Sequence, residues 1–110
     1  MHALVVTYSL HDASPAQHGE LCLQLAPAVA AVRGLVSKTW LANGETGRFG
    51  GFYVFDSRAA FDRFVASELY EVLRSHESVR DLTASEFSID EGPTALTGGP
   101  TPLSTRRNPT

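Results

Sequence analysis

Residues 35–55, LVSKTWLANGETGRFGGFYVF, hold two runs of strand-forming residues around a cluster of turn formers. Leu35 to Ala42 reads as one strand and Gly50 to Phe55 as the next. Asn43-Gly44-Glu45-Thr46-Gly47-Arg48 between them supplies the turn, so the pair is a hairpin with a long loop. Successive side chains of a strand point to opposite faces. Leu35 and Leu41 therefore oppose Val36 and Trp40, and Phe52 and Val54 oppose Tyr53 and Phe55. A sheet covered by helices on one side alone presents polar residues on the other. Neither side of this hairpin is polar.

The flanking segments complete the element order. His2 to Leu10 is rich in β-branched and aromatic residues, with Leu4, Val6, Tyr8 and Leu10 on one face and Ala3, Val5, Thr7 and Ser9 on the other. This is strand one. Ser14-Pro15-Ala16-Gln17 offers a cap serine, a proline at the first helical position and a glutamine three residues past the cap. The helix that starts there carries Leu21, Leu25, Ala28, Val29 and Val32 in one apolar stripe, and Gly34 ends it. Pro27 lies inside the stripe, where a kink or a late helix start is expected. Downstream, Asp56 or Ser57 caps a second helix with a stripe of Phe61, Phe64, Val65, Leu69, Val72 and Leu73 and a break near Ser67. Val79 to Asp90 alternates again as strand four. The order β-α-β-β-α-β predicts an α+β, ferredoxin-like fold, two helices on a four-stranded antiparallel sheet. Leaving the second apolar face in water would forgo about 1.5–3 kcal/mol per large side chain. A partner sheet from a second copy is therefore expected, with the C-terminal tail lying across the other subunit.

Composition bounds the function. The 110 residues are 43% hydrophobic and 19% charged, which suits one soluble domain. The domain is expected over residues 1–91. The nineteen residues of 92–110 include four Pro, three Gly and five Thr and cannot build a core. A net charge of −3 supplies no positive field for nucleic acid or an anionic membrane. No apolar run approaches the roughly 20 residues that span a bilayer. Met1 to Leu10 lacks a basic start and an apolar signal core, and the single Cys22 forms no internal disulfide, so a cytoplasmic location is expected.

No metal signature stands out: His2, His11, His18 and His76 show no paired ligand spacing. No phosphate-cradling loop or Gly-x-Ser-x-Gly elbow occurs. Cys22 lies near or on the buried stripe, where a small core residue accounts for it. Gly50-Gly51 predicts a bulge or a close backbone approach. Strand two is more informative. Lys38 is the only lysine beside eight arginines, and period-two geometry puts it next to Trp40. One reading is an edge strand on which lysine blocks unwanted pairing while its stem covers Trp40. The other places Val36, Lys38 and Trp40 on the wall of a cavity between the sheets of a dimer. Trp40 would there stack on a flat substrate and Lys38 would favour its anion. Tyr8 and Tyr53 add phenolic donors, Asn43 and Arg48 rim a mouth, and His76 after helix two offers a base.

Gly34-Leu35-Val36-Ser37-Lys38-Thr39-Trp40, the run Gly50-Gly51-Phe52-Tyr53-Val54-Phe55 before a capped helix, and Phe87-Ser88-Ile89-Asp90-Glu91 closing the last strand together resemble the YdhR-like monooxygenases. That family belongs to the dimeric α+β barrel superfamily, which also holds the antibiotic-biosynthesis monooxygenases. The resemblance covers roughly residues 3–91. It implies a homodimer with a cavity on each sheet and cofactor-independent oxygenation of a small aromatic or polyketide-like compound by O2. Lys38, Trp40 and Tyr53 fall on the matching motif positions. A cyclase or isomerase, and a non-catalytic small-molecule or haem binder, are the alternative functions for the same fold.

Overall fold

The computed structural model describes residues 1–102; the rest of the tail expected over 92–110 lies outside the described residues. Strands β1 (His2–Leu10), β2 (Leu35–Asn43), β3 (Arg48–Phe55) and β4 (Val79–Ser88) form one antiparallel sheet in the order β2-β3-β1-β4. Helix α1 (Pro15–Ala30) joins β1 to β2, and α2 (Arg58–Val65) with α3 (Glu68–Ser75) joins β3 to β4. The ferredoxin-like arrangement is as expected.

Register decides which face is which. Leu4 stands opposite Tyr53 and Glu86, and Val6 opposite Gly51 and Ala84. These positions, with Tyr8 and Phe55, form the face that the helices cover. There Leu4, Val6, Tyr53 and Phe55 pack with Val29 of α1, Phe61 and Phe64 of α2 and Tyr70 of α3 in one core. Its aromatic rings meet at centroid distances of 5.1–6.1 Å, in the range of favourable ring pairs.

Two bulges alter the expected alternation. Leu35 pairs with Phe55 and Ser37 with Val54, so Val36 is an extra residue in β2. Leu35 thereby joins Lys38 and Trp40 on the covered face, contrary to the expected grouping of Leu35 with Leu41. In β4 the register slips between Thr7 and Ser9 of β1, and Asp81 adopts φ 54°. Tyr8 therefore faces two residues, and Leu82 is turned toward the core.

Helix α1 runs unbroken through Pro27, with the predicted capping box of Ser14 and Gln17. The proline ring faces the carbonyl of Leu23, and Leu23 is 76% exposed. The lost hydrogen bond thus lies on the wet side, where water replaces it. Helix α1 buries His18 and Val29, with Leu21, Cys22 and Leu25 half-buried on the same side and Ala28 exposed. The break in the second helical segment falls at Ser67, whose hydroxyl donates to the Phe64 carbonyl and accepts from the Tyr70 amide. A short helix, α4 (Glu91–Leu96), follows β4 with no buried residue.

The outer face of the sheet carries Ala3 and Val5, Phe52 and Val54, Thr39 and Leu41, and Ser85 and Phe87. Phe87 is 57% exposed and Leu41 38% exposed. Among the described residues no helix is long and apolar enough to cross a membrane.

Candidate functional site

Between the covered face of the sheet and helices α1 and α3 lies a cavity of about 150 Å3. That is the size of a space that holds one benzene ring. Both of its walls come from this one chain, on the helix-covered face of the sheet. The void exists where small residues interrupt large ones. At Gly51 a Cβ would stand 2.6 Å from Cε of Lys38, so the missing side chain makes room for the lysine. At Gly50 a Cβ would lie 1.9 Å from the Val6 carbonyl oxygen, which is the close backbone approach expected of this pair.

Lys38 reaches across β3 into the cavity. Its Nζ donates to the Tyr53 hydroxyl at 2.8 Å and sits 3.5 Å from the centre of the Trp40 ring, within cation–π range. Among the described residues it meets no carboxylate. Arg74, the other basic side chain on the wall apart from the histidines, is paired with Glu71. Burial lowers the Lys38 pKa from 10.5 to about 8. Burial, with smaller contributions from nearby Tyr70, Tyr8 and Cys22, raises that of Tyr53, so its hydroxyl stays protonated.

A second polar pair stands on the same cavity. The Tyr8 hydroxyl and Nε2 of His18 are 2.8 Å apart, and Sγ of Cys22 lies 3.4 Å from that nitrogen. Burial raises the pKa of Tyr8 and of Cys22. Burial, then the positive charges of His76 and Lys38, lowers that of His18. His18 is only 9% exposed, and its Nδ1 is buried without a hydrogen-bond partner in the described structure.

Beside the cavity lies a polar vestibule of about 520 Å3, whose rim includes His11, Asp12, Glu77 and Arg80. His18, Leu21, His76 and Ser78 border both spaces. His76 is held there by Ser78, whose backbone amide donates to Nδ1 at 3.1 Å. Among the described residues no group of three or more His, Cys, Asp or Glu side chains could hold a metal ion.

Tyr8, Lys38, Trp40, Tyr53 and His76 are thus brought to one cavity, and Val36, Asn43 and Arg48 are not. Val36 is the extra residue of the β2 bulge. Asn43 Oδ1 accepts from the Glu45 and Thr46 amides and shapes the hairpin turn. Arg48 begins β3 and spans the outer face, donating to Thr7, Ser9 and the Asp81 carbonyl. Sequence reasoning passed over His18. Its signal was present, since His18 lies one turn before Cys22 on the inward stripe of α1.

The architecture defines a ferredoxin-like α+β protein with a chamber between sheet and helices. The chain belongs to the family described as "Putative mono-oxygenase ydhR", whose model matches residues 4–100. Solved structures share the fold at low identity. A putative antibiotic biosynthesis monooxygenase from Deinococcus radiodurans is 19% identical with a TM-score of 0.69, over 83% of this chain and 94% of that one. SnoaB, a cofactor-independent oxygenase from Streptomyces nogalater, solved as a point mutant, is 20% identical with a TM-score of 0.64, over 82% and 93%. MhuD, also solved as a point mutant, with two manganese protoporphyrin IX molecules per active site, is 13% identical with a TM-score of 0.63, over 82% and 95%. No curated protein matches the sequence significantly.

Proposed function

We propose that the chain is an oxygenase acting without a bound cofactor on a small ionisable aromatic compound, a phenol or an enol of polyketide type. The observation that carries this reading is the Lys38 ammonium, set between Trp40 and Tyr53 in an apolar cavity with no counter-ion among the described residues. A cation placed this way stabilises an oxyanion far more than it would in water. One ring fits the cavity against Trp40, and the rest of a larger substrate extends into the vestibule. Ionisation makes such a substrate electron-rich enough to reduce O2 itself. The CH2 of an anthrone, or the para C–H together with the O–H of a phenol, gives up two hydrogens as a ring carbonyl forms; one oxygen atom enters the product and the other leaves as water. The protein excludes water and holds the charge.

Two copies pair through the outer face, where Phe87 is exposed and Leu41 partly so.

Oxygen uptake with anthrones and one-ring polyphenols tests the proposal. Wild type is expected to consume O2. Lys38→Met is expected to lose about 100-fold or more in kcat/KM, and Trp40→Phe to raise KM. Variants as fast as wild type would remove both assignments. Turnover without oxygen consumption would make the protein a cyclase or isomerase.

A further inference from the structure

We propose that Tyr8 and His18 form the proton-accepting end of this site, with Tyr8 meeting the substrate hydroxyl and His18 holding the proton behind it. The inference rests on the oxygenase reading above and adds a residue that reading leaves unused. Tyr8 lines the cavity from β1, and its hydroxyl lies 2.8 Å from Nε2 of His18 on α1. The Cys22 thiol approaches the same nitrogen at 3.4 Å. Because Nδ1 is buried with no partner in the described structure, no acceptor on that side fixes the tautomer. With the proton on Nδ1, Nε2 presents its lone pair to Tyr8 and Cys22, both held protonated by burial.

The step balances within the cavity. The substrate O–H bond breaks and its proton joins the Tyr8 oxygen, while the proton of Tyr8 moves to Nε2 of His18. A substrate oxyanion, a neutral tyrosine and an imidazolium result, with no change in net charge. The new anion stands near Lys38. Burial and the charges of His76 and Lys38 disfavour the imidazolium, and the oxyanion formed in the same step offsets that cost. His18 also lines the vestibule beside the cavity.

The test uses 4-nitrophenol, whose neutral and ionised forms absorb at different wavelengths, with 15N-labelled full-length protein. Near the pKa of the free phenol, the bound ligand is expected as phenolate. Long-range 1H–15N spectra are expected to show the His18 ring changing from one protonated nitrogen to two. In His18→Gln and Tyr8→Phe the ionisation of the bound phenol is expected to weaken about tenfold, one pKa unit. A bound phenolate beside a still neutral His18 would overturn this proposal and leave the role of Lys38 standing. A phenol that binds neutral, or does not bind, would overturn both. The wild-type spectra decide the matter even if a variant fails to fold.

Discussion

Lys38 gives up its proton near pH 8 in the folded chain, and this sets a pH dependence that a permanently charged ligand can read. Benzoate stays anionic from pH 6 upward, so any change in its affinity comes from the protein. Below about pH 8 Lys38 is charged and the affinity is level; above it the ammonium is lost and binding is expected to fall. A hydrogen bond to a charged group is worth about 1.5–3 kcal/mol, or roughly tenfold to a hundredfold in Kd. Calorimetric titration should therefore show a loss of that order by pH 10, and Lys38→Met should bind weakly and without the pH step. A wild-type affinity level through pH 10 would remove the ammonium from the binding site. Lys38, Trp40 and Tyr53 were legible in the sequence because period-two spacing joins the first two and the lone lysine draws notice. Val36 misled for the same reason, since a bulge is a local exception to that period. His18 was weighed only for metal spacing, and its meaning depends on Tyr8, ten residues away in sequence and on another element.

At the scale of elements, the contact of β1 with β3 depends on Gly50, where a Cβ would meet the backbone of Val6. Gly50→Ala must push the two central strands apart and is expected to cost about 1–3 kcal/mol, as other overpacked sites do. Gly44→Ala, in the hairpin loop with open space around it, is the control. Urea denaturation of the two variants compares them, and equal midpoints would mean that the strands do not approach as closely as described. The order of strands and helices was readable because each element carries its own period and cap: Ser14, Ser57 and Ser67 each accept from a backbone amide at a helix start. The bulges and α4 were not readable. A bulge is settled by pairing with a neighbour far away in sequence, and α4 buries nothing that would leave an apolar stripe.

For the whole molecule, the sequence showed a sheet apolar on both faces but not which side the helices take, because alternation is symmetric between the two. The helices take the face of Leu4, Tyr53 and Phe55, and Phe87 and Leu41 remain on the other. Native mass spectrometry is expected to show a dimer, and Phe87→Glu is expected to shift it toward monomer by burying a charge in an apolar contact. A wild-type monomer at micromolar concentration would leave the outer face without its proposed cover. If two copies pair through their outer faces, as proposed, the helices of each chain stay on the far sides and the two chambers stand back to back with both sheets between them. In that arrangement neither copy would lend the other a wall. Ligand should then fill the two halves independently, along a single hyperbola with no cooperativity, and a mixed dimer with one inactive copy should work at half speed.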